Sequence, residues 1–253
     1  MKIGVIGVGE IGGTLATGWS RTGHAVRVAN SRGPDAVRTF ADKIGAVAAD
    51  VRGAVEGAEV VLLSMPFPAV VTLPGDLFDR AAEGVVIIDT ANYYPDVRDP
   101  RIPEIDAGMP ESVWVSRQLG RPIIKAFNSI MFYALSELGK PKGSPDRLAI
   151  PVAGDDARAK QVVMTLVDEV GFDPVDGGSL EESWRQQPST PAYCCDYDVA
   201  RTLQGIRAAI KGRAETIRDG AWREKYGRLF AGNPTYADVH PEIIAMNRSF
   251  NPL

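Results

Sequence analysis

Three glycines at Gly7-x-Gly9-x-x-Gly12 carry the first chemistry in the chain. They follow the apolar run Ile3 to Ile6 and precede a helical pattern, and a second apolar run, Ala25 to Ala29, ends at Asn30-Ser31-Arg32. That is the order of a strand–turn–helix–strand unit that holds a dinucleotide. Gly7 allows a tight turn, Gly9 lets the backbone approach a pyrophosphate, and Gly12 lets the helix pack closely on the strand. Free N–H groups at the helix start face the phosphate charge. Gly7, Val8, Gly9, Glu10, Ile11 and Gly12 are therefore expected to bind cofactor. NAD sites usually place an acid at the end of the second strand, to accept from the ribose 2′-hydroxyl. Here Asn30, Ser31 and Arg32 stand there instead, and a hydroxyl with a forked guanidinium suits a 2′-phosphate. The sequence thus predicts NADP(H) over NAD(H).

These groups need a scaffold that brings them to one edge. Val60 to Leu63 is an apolar run ending at Ser64-Met65-Pro66. Val85 to Ile88 runs into Asp89-Thr90-Ala91-Asn92, and Ile123-Ile124 leads into Lys125-Ala126-Phe127-Asn128. Continuous apolar strands alternating with helical stretches indicate an α/β fold, a Rossmann-type doubly wound parallel sheet covered on both faces. Helices are expected over Pro34 to Ile44 and after Gly154-Asp155-Asp156, where an aspartate can cap and Gly171 can stop the helix. Further strands are expected over Leu148 to Val152 and Phe172 to Val175. A helical crossover broken at Pro74-Gly75 should follow the fourth strand, and a loop should run from Tyr93 to Pro110. Residues 1–178 form the expected NADP-binding domain, and 179–253 a smaller, mainly helical C-terminal portion. There Val199, Leu203, Ile206, Ile210 and Ile217 predict an amphipathic helix. Its apolar seam suits a homodimer or packing back onto its own domain.

Ligands in open α/β sheets sit outside the carboxyl ends of the strands. Ser64, Met65, Pro66, Asn92 and Ala126 are therefore expected near the nicotinamide, although Ser64 and Asn92 would equally satisfy loop backbone. Lys125, Asn128 and Tyr93 are the candidates for a catalytic role, against the readings of Lys125 as a carboxylate partner and Tyr93 as a packing residue. Trp184, Arg185 and Gln186 offer a flat face with fixed donors for a substrate ring, and Tyr193 lies close in sequence. His24 begins the second strand, away from the site, and His240 falls in the tail, so a His–carboxylate dehydrogenase is not expected.

The 253 residues are 45% hydrophobic and 24% charged, with a net charge of −4. That balance gives no reason to expect a nucleic-acid or anionic-membrane partner. Cys194 and Cys195 are the two cysteines. Adjacent thiols make no disulfide framework, and no metal-ligand spacing is present. A reduced, cytoplasmic protein without a signal peptide or membrane span is expected.

The chain resembles the family of the 8-hydroxy-5-deazaflavin-dependent NADP reductase. The resemblance rests on Gly7 to Gly12, Asn30-Ser31-Arg32, Ser64-Met65-Pro66, Lys125 to Asn128 and Pro151 to Asp156, within residues 1 to 180. It implies hydride transfer between NADP(H) and a deazaflavin as second substrate, with the glycine turn and Ser31-Arg32 holding NADP. The segment Asp89 to Arg98 and the C-terminus from Glu181 depart from that family, and both should border the acceptor. The alternatives are reduction of a carbonyl or imine by a relative of the 3-hydroxyacid dehydrogenases, and a non-catalytic NADP(H) sensor.

Overall fold

The computed structural model describes residues 1–229 and 233–253. The amino-terminal half alternates β1 (Lys2–Ile6), α1 (Glu10–Arg21), β2 (Ala25–Ala29), α2 (Asp35–Ile44), β3 (Val47–Ala48), α3 (Val51–Val55), β4 (Val60–Leu63) and β5 (Val86–Asp89). Next come α4 (Pro103–Asp106), α5 (Glu111–Leu119) and β6 (Ile124–Lys125). The six strands form one sheet in the order β3-β2-β1-β4-β5-β6, and every pairing is parallel. The chain reverses direction of travel between β3 and β4, so the crevice at β1 and β4 is the topological switch point. β1, β4 and β5 are buried along nearly their whole length, as a sheet covered on both faces requires. One core packs α1 and later helices on one face through Leu15, Trp19, Ile88, Leu166 and Phe172. A second core lies on the other face around Val61, Leu63, Phe67, Ile87 and Trp114.

The remaining elements are α6 (Phe132–Glu137), β7 (Ala149–Val152), α7 (Ala157–Glu169), β8 (Asp173–Asp176), α8 (Val199–Ala208), α9 (Arg213–Ile217), a π-helical turn at Arg218–Trp222, α10 (Arg223–Leu229) and α11 (Tyr236–Phe250). Asp156 caps α7, accepting from Ala159 N at 2.7 Å. Gly171 ends that helix with φ +99°. Thr235 and Asp238 form a reciprocal capping box at the start of α11.

Four local expectations change. β7 and β8 pair parallel with each other as a separate two-stranded sheet, and only an antiparallel bridge from Lys125 to Ala153 joins them to β6. The crossover after β4 is two 3-10 turns, Phe67–Thr72 and Leu77–Arg80, because Pro66, Pro68 and Pro74 leave no run of backbone donors for a regular helix. The loop from Tyr93 contains the short α4, started by Pro103. The helix expected through Ile217 stops at Ala208. Ala209 is extended and Gly212 left-handed, and the Arg185 guanidinium donates to the carbonyls of Ile206 (3.3 Å) and Ala209 (3.4 Å). The seam is thereby interrupted: Ile206 is buried while Ile210 is 58% exposed. Among the described residues no helix is long and apolar enough to cross a membrane.

Candidate functional site

The glycine turn joins β1 to α1. Gly7 N donates to Ala29 O at 2.8 Å and Ser64 N to Ile6 O at 2.9 Å, so the ends of β1, β2 and β4 are held level. Gly7 adopts φ +99°, and a Cβ there would overlap the Ser64 carbonyl, so only glycine fits without strain. A Cβ on Gly12 would overlap the Gly7 carbonyl and lie 2.9 Å from Ser64 Cβ. Gly9 has nothing within 4 Å of where its Cβ would be. The outer glycines are therefore fixed by packing, whereas the middle one faces open space large enough for a ligand. The start of α1 carries no side-chain cap, which leaves backbone donors there for another partner.

These residues line a cleft of about 590 Å³. Gly7, Val8 and Gly9 form its floor; Asn30, Ser31 and Arg32 close one end, and Ser64, Met65 and Pro66 close one side. Asn30 Oδ1 accepts from Arg32 N at 2.9 Å, which folds the exit of β2 into a tight turn. Ser31 and Arg32 are exposed. Nine of the fourteen residues expected to bind cofactor thus share one surface, brought together from β1, β2 and β4. Glu10, Ile11, Gly12, Asn92 and Ala126 do not line this cleft. Ile11 packs against the core, and Ala126 is fully buried within it.

Next along the carboxyl edge of the sheet are the exits of β5 and β6, and here polar groups meet each other. Asn92 Nδ2 donates to Asn128 O at 2.9 Å, and Asn128 Nδ2 donates to Asn92 Oδ1 at 3.0 Å. Gln186 Nε2 donates to Asn128 Oδ1 (3.0 Å) and Pro151 O (3.2 Å). Asn92 Nδ2 also reaches the Tyr193 hydroxyl at 3.3 Å, and that hydroxyl pairs with the hydroxyl of Tyr94. Burial pushes both phenols far above the ordinary range, so they remain protonated donors at neutral pH.

Lys125 lies below this network with no exposed surface. Its ammonium donates to Ala91 O and to Asp89 Oδ2 (3.2 Å), with Glu111 Oε2 at 3.9 Å. Ser112 Oγ donates to the same Asp89 oxygen at 2.6 Å. One cation and two carboxylates are thus sealed together. Burial lifts the Glu111 carboxyl to about 7, against the opposing pull of Lys125, Gln187 and Arg218. The direct catalytic contact expected of Lys125 gives way to an internal ion pair that fixes the Asp89–Asn92 exit. Tyr93 is corrected in the same direction: fully buried, it accepts from Ile102 N at 2.8 Å and packs on Phe67. The residue beside it, Tyr94, is the one that turns to Tyr193.

The segment Trp184–Gln186 is divided. Gln186 supports Asn128, as above. Arg185 caps the end of α8 and covers the Trp184 ring, with its guanidinium carbon 4.5 Å from the centroid, so this pair turns away from the cleft towards α8. Neither histidine lines the cleft: His24 meets Glu169 at 2.7 Å, and His240 meets Asp196 at 2.9 Å. Cys194 and Cys195 are buried, unbridged, and held as thiols by desolvation.

Sequence reasoning expected the C-terminus near the Asp89–Arg98 segment but did not single out Trp222, Arg223 or Tyr226. Tyr94 stacks on Trp222 (5.2 Å between centroids, 17°), and Trp222 stacks on Tyr226 (4.4 Å, 19°). Arg223 Nη2 donates to Asp96 O at 2.7 Å. The π-helical turn that carries Trp222 gives no apolar period to read, so its approach to the 94–98 loop left no signal beyond an aromatic pair.

The family described as NADP oxidoreductase, coenzyme F420-dependent, matches residues 2–93. That span runs from β1 through the exit of β5 and includes the cleft. The protein YjhV of Escherichia coli (strain K12) is 49% identical over 111 residues, covering 44% of this chain and 77% of that protein. The crystal structure of the hypothetical protein SMa0349 from Sinorhizobium meliloti is 26% identical, with a TM-score of 0.61 over 74% of this chain and 89% of that one. A protein described as an F420-dependent NADP reductase from Arthrobacter sp. FB24 is 22% identical, with a TM-score of 0.57 over 73% of this chain and 87% of that one; at that identity the likeness concerns the fold.

Proposed function

Since the chain belongs to the F420-dependent NADP oxidoreductase family, we propose that it transfers a hydride between NADP(H) and an organic acceptor held where Asn92, Asn128 and Tyr193 converge. The observation that carries this reading is the open cleft over Gly9, with Ser31 and Arg32 exposed at one end. The residues fit a dinucleotide. The N–H groups at the start of α1, beyond Gly7, would take the pyrophosphate, and Ser31 and Arg32 the 2′-phosphate, with Ser64 to Pro66 bordering the path to the nicotinamide. Bound there, NADPH supplies a hydride.

The chain's own part is positioning. Reciprocal hydrogen bonds from their side-chain amides hold Asn92 and Asn128, and Gln186 braces Asn128 from behind, so the acceptor end is rigid before any ligand arrives. The paired Tyr193 and Tyr94 hydroxyls stay protonated; one donates to the other, which leaves one O–H to donate to an acceptor oxygen or nitrogen. The family's description supports a deazaflavin as acceptor; the paired phenols favour a second reading, a carbonyl or imine. Following NADPH oxidation with a deazaflavin and with a carbonyl and imine panel separates the two. For the cofactor itself, Arg32→Ala should weaken NADPH binding about tenfold or more while leaving NADH unchanged, because one charge-assisted contact is worth about 1.5–3 kcal/mol. Equal affinity for both coenzymes before and after the substitution would remove the reading.

A further inference from the structure

The loop after β5 folds back on itself through one arginine. Arg98 Nε donates to Asp99 Oδ1 and Arg98 Nη2 to Asp99 Oδ2, each at 2.8 Å, and Nη2 also donates to the carbonyl of Asn92. The Asp99 carboxylate is buried and accepts from Tyr94 N at 2.8 Å as well. The guanidinium carbon stands 5.3 Å from the centroid of the Tyr94 ring. These contacts fix the guanidinium plane against Asn92 and Tyr94, the residues that meet Tyr193 at the acceptor end.

That anchoring uses Nε and Nη2. Among the described residues Nη1 donates to nothing, and 46% of the Arg98 side chain is exposed. A guanidinium carries its N–H donors in one rigid plane. A fork tied along one edge to a buried carboxylate therefore presents its remaining donors in a set direction. Neighbouring acids are already engaged: Asp96 and Asp106 meet Arg101, and Asp219 meets Arg218. Asn92, Asn128, Gln186 and Tyr193 bring only neutral amides and a phenol, while Lys125 and its carboxylates are sealed beneath. Arg98 thus adds a directed positive charge to a neutral rim. It also lies beyond the residues 2–93 matched by the family.

We propose that Arg98 is a specificity-determining residue: its Nη1 receives a carboxylate or phosphate carried by the hydride acceptor. The proposal rests on the reading that the acceptor is held where Asn92, Asn128 and Tyr193 converge, and it narrows the substrate class to anions. Asp99 orients the guanidinium from below, and the bond to the Asn92 carbonyl sets the distance between the anchored charge and the reacting end.

Two pairs of acceptors that differ in charge test this. One is a deazaflavin with a phosphate- and carboxylate-bearing side chain, against the same ring with a neutral ribityl chain. The other is an aromatic 2-oxo acid, against its methyl ester. NADPH oxidation gives kcat/KM for each in wild type, Arg98→Lys and Arg98→Gln. The charged-to-neutral ratio is taken on one preparation, so comparing it between variants cancels folded fraction and intrinsic reactivity. Arg98→Gln should lower that ratio about tenfold in whichever pair is turned over, the scale of one charge-assisted hydrogen bond. Arg98→Lys keeps the charge but not the fork and should lower it less. The pair that shows the effect identifies the source of the anion. A ratio unchanged by both substitutions overturns the proposal, because a mere clip for the 92–99 loop would cost charged and neutral acceptors alike. Turnover of the neutral members alone overturns it too. A wild-type protein that binds NADPH, followed by the cofactor's own fluorescence, yet turns over none of the four removes the acceptor reading and the role of Arg98 with it. Turnover with an unchanged ratio removes only the role of Arg98.

Discussion

The two halves of the sheet's carboxyl edge are built on opposite terms. At the β1–β2 end the cleft is open: Gly9 faces empty space, the helix start lacks a side-chain cap, and Arg32 is exposed. At the β5–β6 end nearly every donor already has a partner, and those partners come from far along the chain. Asn128 joins Gln186, Asn92 joins Tyr193, and Arg223 joins Asp96. An anion can be held by backbone geometry and one guanidinium, so the first end needs little beyond a local motif. A reacting centre must be fixed before the ligand arrives, and fixing buried polar groups requires that each find a partner. The open end is a socket and the closed end a frame.

The sharpest way to break that contrast is Lys125→Met. It leaves Asp89 and Glu111 as buried carboxylates without their cation, and the expected cost is about 3–5 kcal/mol in urea unfolding. A loss under about 1 kcal/mol would mean the frame does not depend on this ion pair. Next is Gly7→Ala, which meets both a left-handed backbone and the Ser64 carbonyl; a loss of about 1–3 kcal/mol is expected, with weaker NADPH binding. If its stability matched wild type, the socket would be less constrained than its geometry implies.

A smaller effect is pH-dependent and belongs to Glu111. Its carboxyl lies at about 7 in the fold, above its ordinary 4.5. The folded state therefore holds this proton more tightly than the unfolded chain. The resulting stabilisation is complete below about pH 4.5, declines as pH rises towards 7, and is gone above that. Glu111→Gln should flatten the stability profile across that window, and a profile as steep as wild type would assign the slope elsewhere. The smallest change is expected from Arg185→Ala, about 1 kcal/mol from the freed end of α8, with NADPH affinity unchanged. A weaker NADPH affinity would return Arg185 to the cleft.

Sequence carried the socket well because its requirements are local. Apolar runs fix which segments are buried strands, and their exits follow from where the runs stop. Gly7 and Gly12 sit where any side chain would strike backbone, so the motif states its own geometry. Arg32 was legible because an expected acid was missing. For Lys125 and Tyr93 the sequence left a catalytic and a structural role side by side, and only the fold chose the carboxylate partner and the packing residue. A lysine at a strand exit reads the same whether it faces water or two carboxylates, and Glu111 is fourteen residues from Lys125 and twenty-two from Asp89 in the chain. Tyr93 and Tyr94 are adjacent letters that point to opposite sides.

What the amino-acid order determined by itself was the alternating sheet, the glycine turn after β1 and the absence of an acid at the β2 exit, each set within a few consecutive residues by sterics and hydrophobic period. Tertiary structure alone decided the rest. It broke the helix at Ala209 through Arg185, sealed Lys125 between carboxylates, and brought Trp222, Tyr226 and Tyr236 to the cofactor half. Those outcomes depend on which polar group finds which partner once water is excluded, and that pairing is a property of the assembled core.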